Sequence, residues 1–375
     1  MASELLKRSE VKEENTWNVK DMYATQEDWE QELKDISEII DRVAAFEGKA
    51  AENAQNLFTV LENLAKAGEK LDKAYNYAER LFDEDQTNTT HQAMSAKAYS
   101  AYASCGSKTA FVDPEIIAIP ENVLETFYKE VPGLELYRKQ IAEIRRMKEH
   151  CLSSEMEKLL AMTAEMSQTP ADTFSILNNA DLVFPEIKDE NGESVRITHG
   201  RYGQFLQSSD RRVRKEAFEK LYQTYKQFLN TAASLYSGNI KQQVFHAKAR
   251  KYVSSLECAV DANHVSSSVY HNLIDTVNKN LDKMHHYVSL RKKCLGLDEM
   301  HMYDIYTPMI ADAARKVSFE EAKDTVLKAL APLGEDYVNK VKEGFENRWI
   351  DVYENQGKRS GAYSAGAYGC HPYVL

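Results

Sequence analysis

Thr25-Gln-Glu-Asp-Trp-Glu-Gln-Glu-Leu-Lys-Asp-Ile-Ser-Glu-Ile-Ile-Asp-Arg-Val43 is the stretch on which the fold class turns. Trp29, Leu33, Ile36, Ile40 and Val43 recur at spacings of four, three, four and three, which draws one apolar stripe along a helix. Thr25 stands where a side-chain oxygen can accept from the first free backbone N–H groups. The stripe reads as core rather than as a cofactor site. Around it, the first 110 residues contain no proline and three glycines, so long helices packed on one another are expected.

Further along, Pro114 and Pro120 interrupt this regime, and Phe111 to Pro120 reads as a junction into a second helical region. Ser154 with Glu157 has the spacing of a capping box, followed by Met156, Leu159, Leu160 and Ala164 on one face. Leu182-Val-Phe184 and Val195-Arg-Ile-Thr198 are β-prone runs on either side of a turn containing Asn191-Gly192, which predicts a hairpin. Val213, Ala217, Leu221, Tyr225 and Phe228 trace another helical face after Ser208-Ser-Asp210, and a further helix is expected from Ser318 with Glu321. Trp349-Ile-Asp-Val-Tyr353 is strand-like, Gly357 to Gly369 is loop-prone, and His371-Pro-Tyr-Val-Leu375 is again extended.

With 43% hydrophobic and 28% charged residues, 21 Tyr and 13 Phe, the 375-residue chain has the means to bury a large core. A net charge of -11 disfavours nucleic acid as a partner, because a phosphate backbone repels it. Arg211, Arg212, Arg214 and Lys215 are the best candidate for a basic stripe, but Glu216 and Glu219 interleave with it, so it reads as a solvated helix face. The first residues lack the apolar stretch of a signal peptide, and no run approaches a membrane span, so a cytoplasmic protein is expected. Cys105, Cys151, Cys258, Cys294 and Cys370 are odd in number and widely spaced, which reads as reduced, mostly buried thiols.

Complete catalytic motifs are absent from these residues. None of the ten histidines is followed by Glu and no two are four apart, so the helical spacing that lets two imidazoles share an ion does not occur. His285 and His286 point about 100° apart on a helix, and with His301 they read as structural. Cys151 beside His150 is no thiolate–imidazole pair, since sequence neighbours on a helix do not face each other. There is no GxSxG, P-loop or GxGxxG.

A set of segments in order carries a resemblance. They are Thr16-Trp-Asn-Val-Lys-Asp-Met-Tyr23; Tyr75-Asn-Tyr77 with Asp83-Glu-Asp-Gln-Thr-Asn88; Tyr137-Arg138 with Arg145-Arg-Met-Lys-Glu-His150; Ala180-Asp-Leu-Val-Phe184; Asp210-Arg-Arg-Val-Arg214; and Ala249-Arg-Lys-Tyr252. The most specific is Trp349 to Tyr363, followed by Tyr368-Gly-Cys-His-Pro-Tyr-Val-Leu375. Together they resemble the oligoendopeptidase F family of zinc metallopeptidases, relatives of thimet oligopeptidase.

That resemblance implies a mainly α, helix-rich peptidase scaffold with a small β-hairpin and a C-terminal β segment, ending before the zinc-binding helix. The implied organisation is an N-terminal helical region at 1–113, an oligopeptidase F-type N-terminal domain with the hairpin at 114–200, and the first, incomplete part of a catalytic domain at 201–375. The family's HExxH helix would follow Leu375, so no catalytic residue and no metal ligand is carried over; zinc is expected in the complete enzyme and none is expected to be held by this chain alone. The implied partners are short peptides, without nucleic acid or membrane, and a missing C-terminal half.

The candidate substrate-binding residues are Tyr363, Gly369, His371 and Tyr373, on a turn and a strand that in such enzymes run beside the peptide. A free strand edge there would pair with an extended peptide. The bland reading of the same side chains is packed core or loop, with His371 a strand-end anchor and Cys370 a small buried residue. Two functions stay open: the N-terminal portion of a zinc oligoendopeptidase that cuts internal bonds of short peptides, or a helical module that binds peptides or a partner without hydrolysis.

Overall fold

A computed structural model describes residues 5–310 and 317–375; the first four residues of the N-terminal segment read above lie outside it. The helices run α1 (Gln26–Ala44), α2 (Ala54–Glu84), α3 (Thr89–Lys108), α4 (Val112–Ala118), α5 (Glu121–Glu130) and α6 (Arg138–Arg146). They continue as α7 (Ser154–Met162), α8 (Ala164–Ile176), α9 (His199–Leu206), α10 (Arg211–Gln227) and α11 (Leu229–Ala249). The last are α12 (Ser255–Asp261), α13 (Ser267–Lys279), α14 (Leu281–Cys294), α15 (Phe319–Ala329) and α16 (Glu335–Glu346). The strands are β1 (Glu186–Lys188), β2 (Ser194–Arg196), β3 (Ser364–Ala365) and β4 (Tyr373–Val374).

The stripe that opened the reading is core, as its spacing requires. Thr25 caps α1 in a reciprocal box with Asp28. Trp29, Leu33, Ile36, Ile39 and Ile40 pack with Ala67, Leu71, Ala74 and Tyr77 of α2. The Trp29 ring is wholly buried, and its Nε1 donates to the Ala74 carbonyl at 2.9 Å, which satisfies the one polar atom the ring carries.

At 31 residues α2 is roughly 46 Å long, and it serves two cores. Its second half belongs to the cluster just described. Its first half, through Leu57, Val60 and Leu61, packs with Phe111, Ile116, Leu124, Leu134 and Ile141. Helices on both sides of residue 114 therefore share one hydrophobic cluster, and Pro114 sits in the first turn of α4, where a missing N–H costs nothing.

The hairpin forms, displaced from its expected place. β1 and β2 pair antiparallel with Ile187 opposite Val195, while Leu182 and Val183 precede the strand and Val183 is exposed. Phe184, Ile187 and Ile197 supply apolar area to Val213, Ala217 and Leu221 of α10, and that packing sets the register. Gly192 takes a φ of +81° in the turn.

Two other details also correct the expectation. The cap of α7 is Ser153, whose hydroxyl accepts from Met156 N–H. Glu157 instead accepts from Leu152 N–H at 2.9 Å and pairs with Arg250, so it is spent on tertiary contacts. The basic stripe is a solvated face only at Arg212 and Lys215, which pair with Glu216 and Glu219 on the helix surface. Arg214 is buried and joins Arg211 on the fully buried Asp304, at 2.9 and 3.0 Å, fastening α10 to the turn Met302–Asp304.

Among the five cysteines Cys294 is exposed and the others are half-buried, so the expectation of mostly buried thiols fails. His150 stacks on Tyr252 at 3.6 Å rather than facing a thiolate, and burial pushes the Cys151 thiol up to about 11. No helix among the described residues is long and apolar enough to cross a membrane.

The C-terminal segment is a small three-stranded arrangement. β4 pairs antiparallel with β3, Ser364 opposite Val374. On its other side Val374 bridges Ile350 in parallel: its N–H donates to Trp349 O at 2.8 Å and its carbonyl accepts from Asp351 N–H at 2.9 Å. Trp349 to Tyr353 is thus extended chain held by one bridge rather than a regular strand, and part of the loop-prone run supplies β3.

Candidate functional site

The N-terminal segment, the end of α2 and residues 351–359 meet at a buried ionic cluster. Asp351 receives Arg8 at 2.7 Å and Lys358 at 2.6 Å, and Arg8 also reaches Glu84 at 2.6 Å. Burial holds the Glu84 carboxyl up at about 7, against the pull of Arg8 and with the push of Asp351. One residue earlier, the fully buried Asp83 accepts from Arg80 and Arg359, each at 3.3 Å, and from the Tyr363 hydroxyl. Gln86 N–H donates to Gly357 O at 2.8 Å, and Gly357 takes a φ of +75° at this crossing. These bonds aim the chain that leads into β3.

Beside this crossing lies a cleft of about 790 Å³ between α2, α3 and α8, lined by Tyr75, Glu79, Gln86, Tyr99, Asp172 and Arg359 among others. Its walls are polar and acidic. Glu79 accepts from the Ser95 hydroxyl at 2.6 Å and Asp172 from Gln168 Nε2 at 3.2 Å. Burial raises both carboxyls above their usual range, partly offset by those donors. Burial likewise raises the Tyr75 and Tyr99 phenols, with nearby Glu79 and Asp172 adding for Tyr75 and Asp172 for Tyr99.

The four residues proposed from sequence are distributed unevenly. Tyr363 is half-buried, with Arg80 and Arg359 guanidinium carbons 4.8 and 5.6 Å from its ring centre, so it braces the cleft through Asp83. Gly369 is exposed in a turn at φ +77°. His371 stacks on Trp349 at 4.6 Å, with Nδ1 against Pro372 O at 2.9 Å and Nε2 against Asp21 at 3.2 Å, in a separate depression shared with Lys340 and Arg348. Tyr373 is 1% exposed, its ring inside the first core cluster against Trp17 and its hydroxyl donating to Asn18 O at 3.4 Å.

The free strand edge expected at residues 369–373 is displaced. Both sides of β4 are occupied, by β3 and by 349–351. Tyr363 and Leu375 exchange both backbone bonds, at 3.0 and 3.3 Å, so by antiparallel alternation the N–H and C=O of Ser364 point to the far side of β3. The open edge therefore belongs to Ser364. Glu79, Tyr99 and Asp172 were not singled out from sequence because they lie on three helices, α2, α3 and α8, and meet only in the fold. The quoted runs Tyr75–Tyr77 and Asp83–Asn88 had marked the right part of α2.

Among the described residues no group of three His, Cys, Asp or Glu side chains could hold a metal ion. His285 and His286 are exposed on α14, and His301 stacks on Tyr303 at 5.0 Å. These residues do not fit a zinc site.

Comparison with known proteins gives a consistent picture. The sequence model of Peptidase family M3 matches residues 204–375, and that of Oligopeptidase F matches residues 115–184. The chain is 46% identical to Oligopeptidase PepF of Bacillus subtilis over its whole length, which spans 56% of that protein. It is 39% identical to Group B oligopeptidase PepB of Streptococcus agalactiae, over 98% of this chain and 61% of the relative. The crystal structure of oligoendopeptidase-F from Enterococcus faecium superposes with a TM-score of 0.75 at 38% identity, covering 85% of this chain and 60% of that one.

Proposed function

The chain belongs to the oligoendopeptidase F family within peptidase family M3, and from that premise we propose that it forms one wall of the peptide channel of a zinc-dependent oligoendopeptidase. The substrates are short peptides cut at internal bonds, in the cytoplasm. The observation that carries this reading is the open edge at Ser364, whose neighbour Tyr363 is tied through Asp83 to Arg359 in the cleft wall. An extended peptide laid along it gains main-chain hydrogen bonds whatever its side chains, which is how a sequence-tolerant enzyme holds varied substrates.

No hydrolytic step is assigned to a residue of this chain, since the residues described do not fit a metal. In this reading zinc, its ligands and the general base belong to polypeptide corresponding to the remaining length of the relatives. The surface supports such a partner. Val269, Tyr270, Leu273, Ile274 and Val277 of α13 and Leu281, Met284 and Leu290 of α14 are all exposed, on two helices with almost no buried side chain.

The test is anisotropy titration of a labelled octapeptide with this chain and with Ser364→Pro, which removes the N–H at the open edge while keeping extended backbone. Weaker binding by the variant is expected; unchanged affinity would sink the edge-pairing reading. The chain alone is also expected to leave a quenched fluorescent peptide intact and to hold no stoichiometric zinc. Turnover abolished by a chelator and restored by zinc would overturn that.

The second reading, a helical module that binds without cutting, draws support from the Arg8–Asp351 and Arg348–Glu13 pairs that tie the two ends of the described chain together. It predicts a monodisperse, cooperatively unfolding protein. Dye binding and self-association on gel filtration would favour the first.

A further inference from the structure

Resting on the peptide-channel reading, we infer that the cleft between α2, α3 and α8 receives a lysine or arginine side chain of the bound peptide. Glu79 and Asp172 face its charge, and Gln86 Nε2 donates to a neighbouring main-chain carbonyl.

Charge is the first argument. Glu79, Glu165 and Asp172 all line the cleft, and among the described residues none has a cationic partner within ion-pair distance. The one cation in the lining, Arg359, is held by Asp83, which Arg80 shares. Glu79, Glu165, Asp172 and Asp83 are four carboxylates against two guanidinium groups, Arg80 and Arg359, which reach Glu79 only at longer range; the net negative charge between low-dielectric walls concentrates cations.

The second argument is independent of the acids. Gln86 lines the same cleft and is 0% exposed; its Oε1 accepts from Ser175 at 3.3 Å and Asn179 at 3.2 Å, while its Nε2 has no partner. Turning the amide over would set its NH2 against the Asn179 NH2, so the present orientation stands and leaves a buried donor waiting for an acceptor. A peptide residue offers such an acceptor on its main chain.

Shape is the third. Tyr75 and Tyr99 line the cleft, and the exposed Tyr102 ring stands 6.4 Å from that of Tyr75. Aromatic faces attract ammonium and guanidinium groups and also cover the methylene stems of long cationic side chains. The volume of about 790 Å³ falls within the roughly 300–1,000 Å³ of ligand sites. A neutral apolar side chain would instead leave the carboxylates and the Gln86 donor desolvated without partners.

The experiment uses alanine-based octapeptides in which one arginine is walked through the positions, each beside a citrulline counterpart of the same shape without charge. Binding to the 375-residue chain is read by fluorescence anisotropy at low salt. At one position arginine is expected to bind roughly tenfold tighter than citrulline, with the gap narrowing in high salt. In the Glu79→Gln/Asp172→Asn double variant the gap closes because arginine loses its advantage over citrulline; far-UV circular dichroism verifies that the variant is folded. Equal binding of the two series at every position, or a gap that survives the double variant, overturns the inference and leaves the peptide channel standing. Failure of both series to bind overturns the inference and the channel reading together.

Discussion

Replacing Asp351 by Asn tests whether the ionic cluster at the root of β3 holds the C-terminal segment in place. Its carboxylate is fully buried and touches Arg8 at 2.7 Å and Lys358 at 2.6 Å, two side chains that are themselves 15% and 7% exposed. The amide keeps the shape but removes the charge, leaving two nearly buried cations with Glu84 as their one remaining carboxylate. Breaking a buried pair from one side costs about 3–5 kcal/mol, a large share of the roughly 5–15 kcal/mol that stabilises a domain.

The pH dependence sharpens the test. The folded state holds the Glu84 proton to about 7 against an ordinary 4.5, so the contribution is fully present at low pH and fades as pH rises through 7, by about 3 kcal/mol. Asp351 supplies part of that elevation by repelling the ionised Glu84. In the variant this repulsion is gone and Glu84 ionises more readily, so the loss relative to wild type is greatest near pH 5 and shrinks toward pH 8. Urea denaturation followed by tryptophan emission reads it, since Trp17 Nε1 donates to Val374 O at 2.8 Å beside the cluster. A loss below about 1 kcal/mol at every pH, or one that grows with pH, would refute the reasoning.

Other consequences are simpler. Trp29→Ala should cost about 3–5 kcal/mol by emptying the first core cluster, whereas Trp29→Phe should cost less yet still expose the loss of the bond to Ala74 O; denaturant midpoints separate them. Gly357→Ala should destabilise by about 1–3 kcal/mol, because φ is +75° and the new Cβ would collide with Asp85 Oδ1; a neutral thermal shift would contradict the geometry. With a thiol reagent at pH 8, exposed Cys294 should react first and Cys151 slowly, its thiol being raised to about 11, as peptide mass mapping over time can follow.

Much of the fold was legible locally. The α1 stripe, the Thr25, Asp210 and Ser318 caps and the turn glycine at 192 are decided by residues within a turn or two, where periodicity and capping act directly. The hairpin was legible in existence but not in register, because Phe184, Ile187 and Ile197 take their positions from the apolar face of α10. The Ser153 cap, in place of Ser154, follows from Glu157 being drawn to Arg250, 93 residues away.

The site divides the same way. Sequence alone placed the chain in its family and directed attention to Tyr363 and the terminal residues, since runs of specific residues in order survive without knowledge of packing. Tertiary structure decided what those residues do: it buried Tyr373, occupied both sides of β4, opened the edge at Ser364 and brought Glu79 of α2 and Asp172 of α8 to one cleft. The physical reason is that burial, strand pairing and charge compensation are properties of neighbours in space, and here those neighbours lie far apart along the chain.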